Sequence, residues 1–444
     1  MTGSGTALDP YIIYDVTDLQ NISLDLAAHY ELGNDIDASA TVGWNLGAGF
    51  IPVGVSGTEF TGTFDGKGYT ISDLFINRPA TNGVALFGYT DGAAIRNGML
   101  ITPDITGDDY VAGLIGYAVN TIVDTLPVTL PDITGDQYVG ALIGRDKGST
   151  VTNSPTSGGT VDGNKYVGGL MGATTYATAW SIDQSSSSVA VTASADNPQE
   201  VGGLIGYAPA ADPVWRGNIA RSASTGSVTV TATAAGHSSV RYIGAFVGRG
   251  GATMDRCYTT ASVSIINNSG AATSDALEIG GMVGFYWGNA YDCFSLASLS
   301  VSKIGVFDWD DLELGGFVGE YDESLVAGDA VAANCYFAGT VTIADVAGVQ
   351  TLGGFCADAS GGGLATNCFW DTTLSGLAVS DLGTGKTTAQ MKAIATFLAA
   401  NWDFSQVWSI LAGCNMGYPC LIDTTPGCAA IRQTVHTDRV TGIR

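Results

Sequence analysis

The chain has 444 residues, with 17 Lys and Arg set against 42 Asp and Glu and a formal charge of −25 at pH 7. That balance repels a phosphate backbone and excludes nucleic acid as a partner, and no run approaches the roughly eighteen apolar residues of a membrane-spanning helix. Gly numbers 62 and Glu only seven, so Asp supplies most of the acid. Asp favours turns where Glu favours helices, which predicts a turn-rich, all-β chain.

Residues 1–59 read as an N-terminal cap with the first strands. The opening "MTGSGTALDPYIIYDV" has neither a basic n-region nor an apolar h-region and does not read as a signal peptide. Export by another route, such as inside a virion, is one expectation. From Phe60 to residue 376 the chain repeats itself. "PDITGDDYVAGLIG" (Pro103–Gly116) returns as "PDITGDQYVGALIG" (Pro131–Gly144). Aligned on "VAGLIG", nine copies begin at Val84, Val111, Val139, Val167, Val201, Ile243, Ile279, Leu314 and Leu352. The first intervals are 27, 28 and 28 residues and the later ones run from 34 to 42. After most copies comes a run rich in Thr, Ser and Val, such as "SVTVTATA" or "GTVTIA". Two or three short strands in such a unit make one coil of a β-solenoid. A coil cannot bury its apolar face alone and needs a like neighbour above and below. A parallel β-helix of about ten coils is predicted, with equivalent residues stacked roughly 4.8 Å apart.

Stacking predicts Asp104 over Asp132, Thr106 over Thr134, and Gly107 over Gly135 at a bend where Gly permits φ > 0. Stacked carboxylates here, with Asp108 and Asp136 beside them, need either turn N–H groups or a calcium ion to offset their repulsion. Calcium is the one cofactor the sequence suggests. Within each "VGGLIG" strand, alternation puts Val, Gly or Ala, and Ile on one face. The other face carries a second ladder: Leu114, Leu142, Leu170, Leu204, Phe246, Met282, Phe317 and Phe355. Only one face of a solenoid strand points inward, so the second ladder is expected to be covered by loops of the same chain or by another subunit. Cys257, Cys293, Cys335 and Cys368 occupy equivalent places, with Ser222 one coil earlier. Ser in that slot argues for an inward packing ladder rather than disulfides.

The densest acidic cluster is "FDWDDLELGGFVGEYDES", with Asp308, Asp310, Asp311, Glu313, Glu320, Asp322 and Glu323. It suits a solvated loop, a calcium site, or a sugar site with Trp309 and Tyr321 as stacking platform; paired carboxylates also suit glycoside hydrolysis. Late aromatic residues (Trp215, Tyr286, Trp287, Tyr291, Trp309, Trp370) suit either glycan contact or core packing. The three His are widely separated, and no Ser-His-Asp or metal-ligand spacing emerges.

Residues 377–428 read as a C-terminal cap with one short helix. "GTGKTT" (Gly383–Thr388) departs from a phosphate-binding loop, since Ser380 stands where the pattern needs Gly. Thr387 or Thr388 is expected to cap a helix in "AQMKAIATFLAA". Of Cys414, Cys420 and Cys428, a Cys414–Cys420 disulfide is expected to fasten the cap, and a zinc site lacks a fourth ligand. The tail 429–444 carries Arg432, Arg439 and Arg444 and reads as disordered or as a docking peptide.

The "VGGLIG…NCYFAGTVTI" units resemble the GLUG-motif repeats of bacterial surface proteins and IgA-protease-like proteins. "YELGNDIDAS", "FTGTFDGKGYTISDLFI" and the closing "KTTAQMKAIATFLAANWDFSQVWSI" with "GYPCL" are similar to the segments that flank such arrays. The resemblance runs from about Gly3 to Leu421. It implies a right-handed β-helix and a surface or adhesive role, and it brings no shared catalytic residues. The expectation is a non-enzymatic rod, extracellular, on a cell surface or as a virion appendage. It would present loops to a cell-surface glycan or protein receptor, with homo-oligomers or neighbouring structural subunits as further partners. A self-assembling filament subunit and a polysaccharide-cleaving β-helix are the alternatives.

Overall fold

The computed structural model describes residues 1–175, 179–195, 198–209, 217–232, 240–267, 277–303, 308–322, 330–344, 347–411 and 413–428. At 195, 267, 303, 308–311 and 347–349 only the backbone is described. The chain is a parallel β-helix. Four parallel sheets run along it, with 12, 19, 8 and 9 strands among the described residues. Eleven rungs of the 12-stranded sheet at about 4.8 Å each give a rod roughly 50 Å long.

One coil shows how the sequence makes the turn. From Val111 the chain forms the strand Val111–Ala112, then Ile115–Val119, Ile122–Asp124, Val128–Thr129 and Asp132–Thr134. The short strands are alternating triplets: the middle residue of "IVD" or "DIT" faces inward and its neighbours face outward. Val123 stacks between Ile95 and Val151, and Ile105 stacks on Ile133. All are fully buried.

Sharp corners come from non-Gly residues in the left-handed region. The corner after the 12-stranded sheet uses Asn97, Thr125, Asn153, Gln184, Arg221, Arg256, Asp292, Asn334 and Asn367, with φ between 48 and 56°. Asn and Asp tolerate this conformation best; the rest are held there by the coils on either side.

The residue after each corner points inward, and here the Cys ladder appears as expected. Cys257, Cys293, Cys335 and Cys368 are buried free thiols. The column continues upward through Ser222, Ser185 and Ser154, where it also hydrogen-bonds. Ser154 Oγ accepts from Leu126 N, Ser185 Oγ from Ser154 N, and Cys293 Sγ from Cys257 N, at 3.0, 3.0 and 3.4 Å. These corner amides would otherwise be buried without partners.

All nine copies of the motif stack in register, from Val84 on Val111 to Leu314 on Leu352. The motif is not one straight strand, which corrects the two-faced reading. It is an arch. An incoming arm ends at Ala112, the chain bends at Gly113–Leu114, and an outgoing arm starts at Ile115. The tip points into the core: a Cβ on Gly113 would lie 3.2 Å from Val128 and 3.4 Å from Leu100. In later coils Thr156 and Ser295 donate side-chain hydrogen bonds to the tip carbonyls of Gly169 and Gly281, at 2.8 and 2.9 Å. Leu114, Leu142, Leu170, Leu204, Phe246, Met282, Phe317 and Phe355 are therefore buried in their own chain's core and offer no interface. The bend inverts the alternation, so both supposed faces end up inside. The last Gly of the motif, replaced by Ala357 in the ninth copy, lets the two arms close. A Cβ on Gly144 would sit 2.6 Å from the Tyr138 carbonyl oxygen and 2.8 Å from that of Gly116.

At the N-terminal end, the helix Val16–Gln20, capped by Asp15, buries Leu19 against the first coil. At the other end, the strand Thr384–Lys386 from "GTGKTT" pairs with Phe369–Asp371 as the last rung of the 19-stranded sheet. Thr387 caps the next helix in a capping box with Gln390, as expected. The expected single helix is two: Thr388–Met391 and Ile394–Leu398.

The segment 388–428 lies along the flank. Met391, Phe397, Trp402, Trp408, Tyr418 and Leu421 pack over an outward aromatic column of Tyr258, Phe294, Tyr336 and Phe369. Polar ties secure it: Trp408 Nε1 donates to Asp292 Oδ1 at 3.0 Å, and Tyr418 OH to Asp371 Oδ2 at 2.8 Å. The disulfide joins Cys420 to Cys428, leaving Cys414 free. This corrects the expected Cys414–Cys420 pair. Cys420 lies in a two-stranded hairpin with Ser409, and the turn after it brings Cys428 back.

Candidate functional site

The arch leaves a crease on the outside of the rod where its two arms emerge. From the second copy on, the residue before the motif lines one wall: Tyr110, Tyr138, Tyr166, Glu200, Tyr242, Glu278, Glu313 and Thr351. The first five hold φ between 52 and 60°, uncommon for such side chains. The other wall is a register column on the outgoing arms: Tyr89, Tyr117, Arg145, Ala173, Tyr207, Arg249, Phe285, Glu320 and Asp358.

In the first half the walls interlock. Tyr110 lies 5.5 Å from Tyr117 and 5.1 Å from Tyr138, and Tyr138 stacks on Tyr166 at 4.5 Å. The Arg145 guanidinium sits over Tyr138 at 4.7 Å and donates to Tyr110 OH at 3.2 Å. Midway, Arg249 lies over Tyr242 at 4.5 Å and Phe285 at 5.2 Å. Buried Glu200 sits between Arg249 and Lys165, at 3.7 and 4.0 Å. Burial raises its carboxyl above the usual range, while Lys165 and the arginines pull it back.

The last part of the crease is acidic. Glu278 stacks directly on Glu313, and Glu320 rises from the facing arm. Oxygens of all three lie within 4.8 Å of one another. Glu278 is 5% exposed, and its Oε2 is buried without a hydrogen-bond partner. Burial first, and the Glu313 charge second, push Glu278 and Glu320 up to about 8.

No family model matches the chain. Over 131 residues, 27% of its length, it is 42% identical to halomucin of Haloquadratum walsbyi, and the match covers 1% of that protein. A protein of Evansella cellulosilytica named "Putative Gly-rich membrane protein" is 35% identical over 108 residues, 24% of this chain and 12% of that one. The chain thus spans a small part of the length of these curated relatives. Among solved structures, the one described as "a putative immunoglobulin A1 protease from Bacteroides ovatus" overlaps 95% of each chain at 16% identity, with a TM-score of 0.40. Among the described residues, no helix is long and apolar enough to cross a membrane.

The residues predicted from the late acidic cluster do not form one site. Glu320 enters the crease. Tyr321 is a core residue, stacked on Tyr286 at 5.3 Å with its hydroxyl donating to the Gly288 carbonyl, so it offers no sugar platform. Asp322 bridges to Gly362 and is not one of the three, though its charge helps to raise Glu320. Asp308, Trp309, Asp310 and Asp311 lie in the strand Asp308–Gly315 with side chains outside the described residues, as do Glu323, Trp215 and the Arg tail. Tyr286 and Trp370 are buried in the core, Trp287 is buried against Phe285 at the crease, and Tyr291 is exposed.

Asp104 does stack on Asp132 and Thr106 on Thr134. These Asp residues sit in strands rather than at a turn, and Gly107 and Gly135 are not in the left-handed region. Close approach fixes Gly107 and Gly135: a Cβ would meet Val111 at 2.7 and 2.8 Å. Asp132 accepts from Thr160 one coil on, at 2.9 Å. The four proposed calcium ligands separate. Asp108 and Asp136 join Asp109 in a half-exposed group, apart from Asp104 and Asp132. Asn164 donates to Asp136 at 2.6 Å there.

Reading the motif alone missed the crease walls. Their signal was present: the residue before the motif is Tyr in four copies and Glu in three.

Proposed function

We propose that this chain is a non-enzymatic, extracellular β-helical rod of the GLUG-repeat kind, whose crease binds an extended, hydroxyl-rich carbohydrate. One observation carries the reading: a half-buried array of Tyr and Arg along the crease, interrupted at Ala173 and Glu200, whose incoming-arm members hold a left-handed backbone. The left-handed backbone kept at this position in five coils fixes where these side chains stand. The ring faces are taken up by neighbouring rings. The crease therefore offers ring edges, phenol oxygens and guanidinium groups at coil spacing, which suit hydrogen bonding along a polymer. The strongly acidic balance of the chain and its likeness to a segment of halomucin support an extracellular setting, and the latter favours a cell surface over a virion.

A glycan array probed with the purified protein tests this. Wild type should bind a set of extended glycans, and a Tyr138→Ala, Arg145→Ala double variant should lose at least tenfold in affinity. Neither protein should release reducing ends. Absence of glycan binding by wild type, or equal binding by the double variant, overturns the reading.

A further inference from the structure

The acidic end of the crease gathers three carboxyl groups around a buried oxygen that makes no hydrogen bond. Like charges stacked directly in register destabilise a sheet, and a buried carboxylate is costly unless paired. The same wall shows how pairing is done elsewhere, since Glu200 has Lys165 and Arg249 within 4.0 Å. Two coils on, the column facing Arg249 has moved to Phe285 and then to Glu320. A third carboxyl group thus stands on the column where Arg249 serves Glu200. Among the described residues neither Glu278 nor Glu320 has an ion-pair partner, and the hydrogen bond to the Glu278 carboxyl comes from its own backbone N–H. Arg241 attracts Glu278 and Arg249 attracts Glu320 at longer range.

The spacing is informative. Calcium takes oxygen ligands at about 2.3–2.6 Å, so two ligands on opposite sides of it lie about 4.8 Å apart. Oxygens of Glu278, Glu313 and Glu320 fit within that limit. The unpartnered Glu278 Oε2 forms the buried floor. Glu313 and Glu320 are half-exposed, which leaves a route from solvent and room for water to complete the shell. We propose that Glu278, Glu313 and Glu320 hold a divalent cation of the calcium type. The inference rests on this geometry alone and is independent of the carbohydrate reading. The ion would join both arms of one arch to the neighbouring coil.

The half-exposed group Asp108, Asp109 and Asp136 serves as the internal control. Chelator-stripped full chain is titrated with CaCl2 by calorimetry, alongside E278Q, E320Q and D136N, and thermal melts are run with and without 1 mM-range CaCl2. Wild type and D136N should bind calcium and melt higher with it. E278Q and E320Q should bind at least tenfold more weakly, while at pH 8 without calcium, where the carboxyls begin to ionise, they should melt no lower than wild type because a like charge has gone. MgCl2, a smaller ion that dehydrates reluctantly, should bind at least tenfold more weakly than calcium. No calcium binding by wild type, binding unchanged in both Gln variants, binding lost only in D136N, or magnesium bound as tightly would each overturn the proposal. Should E278Q fail to fold, the half-exposed E320Q decides.

Discussion

Replacing Ser185 by Ala should strip one buried amide of its partner. Ser185 Oγ accepts from Ser154 N at 3.0 Å and donates to the Asp183 carbonyl at 3.0 Å, and both serines are fully buried. The carbonyl keeps a second bond, from Asn153 N at 3.2 Å. The amide keeps none. A buried donor left unsatisfied costs about 1–3 kcal/mol, or roughly 5- to 150-fold in a local opening equilibrium at about 1.4 kcal/mol per tenfold. A solenoid opens piecewise rather than all at once, so amide hydrogen exchange at Ser154 is the assay of choice over a global melt. Exchange there should quicken at least fivefold in Ser185→Ala. In Ser185→Cys it should change far less, since sulfur already serves as acceptor lower in the ladder, at Cys293. Equal effects of the two substitutions, or unchanged protection at Ser154, would refute the view that the Ser/Cys column exists to satisfy corner amides.

Four further outcomes follow from the same geometry. Glu278 and Glu320 are raised from 4.5 to about 8, and buried Asp146 from 3.8 to about 6. The folded chain therefore keeps protons that the unfolded chain has shed, and stability should fall as pH climbs from about 4.5 to 8. Melts in chelator at pH 5 and pH 8 should show the drop, and E320Q should shrink it. Gly144→Ala drives a Cβ against backbone on both sides and should cost about 1–3 kcal/mol, seen as a lower urea midpoint. Leu204→Ala, which empties an arch tip, should cost about 2–5 kcal/mol by the same measurement. Reducing the Cys420–Cys428 bond, which closes a loop across a separation of 8 residues, should cost the terminal segment about 2.5 kcal/mol. Protease should then cut between 388 and 428 before it touches the coils.

The coil was legible because its period was nearly constant where it first appeared. Two "PDITGD" runs spaced 28 apart could only lie one above the other, and Asp104 does stand on Asp132. Ser222 in line with Cys257 announced a packing slot in the same way. The arch was not legible. Alternation assumes a straight strand, and nothing in "VAGLIG" alone says that the chain turns back on itself at Gly113. The acidic site was half legible. Glu313 and Glu320 were read as neighbours along the chain, but their third member, Glu278, lies one full coil earlier. "LEIGG" and "LELGG" held that match in plain view once the period was applied to the residue before the motif. Disulfide choice in the terminal segment rested on sequence proximity, and the hairpin geometry decided otherwise.

The way the terminal segment lies along the flank has a mechanical consequence. A solenoid pulled from one end would ordinarily unzip a coil at a time, each rung yielding at low force. Here tension entering at residue 428 meets a clasp: Trp408 held by Asp292, Tyr418 by Asp371 and Asp423 near Arg256 at 3.5 Å. Those anchors span several coils, so the load is shared among them in shear. The end that would fray first becomes the part that must be torn off as a unit.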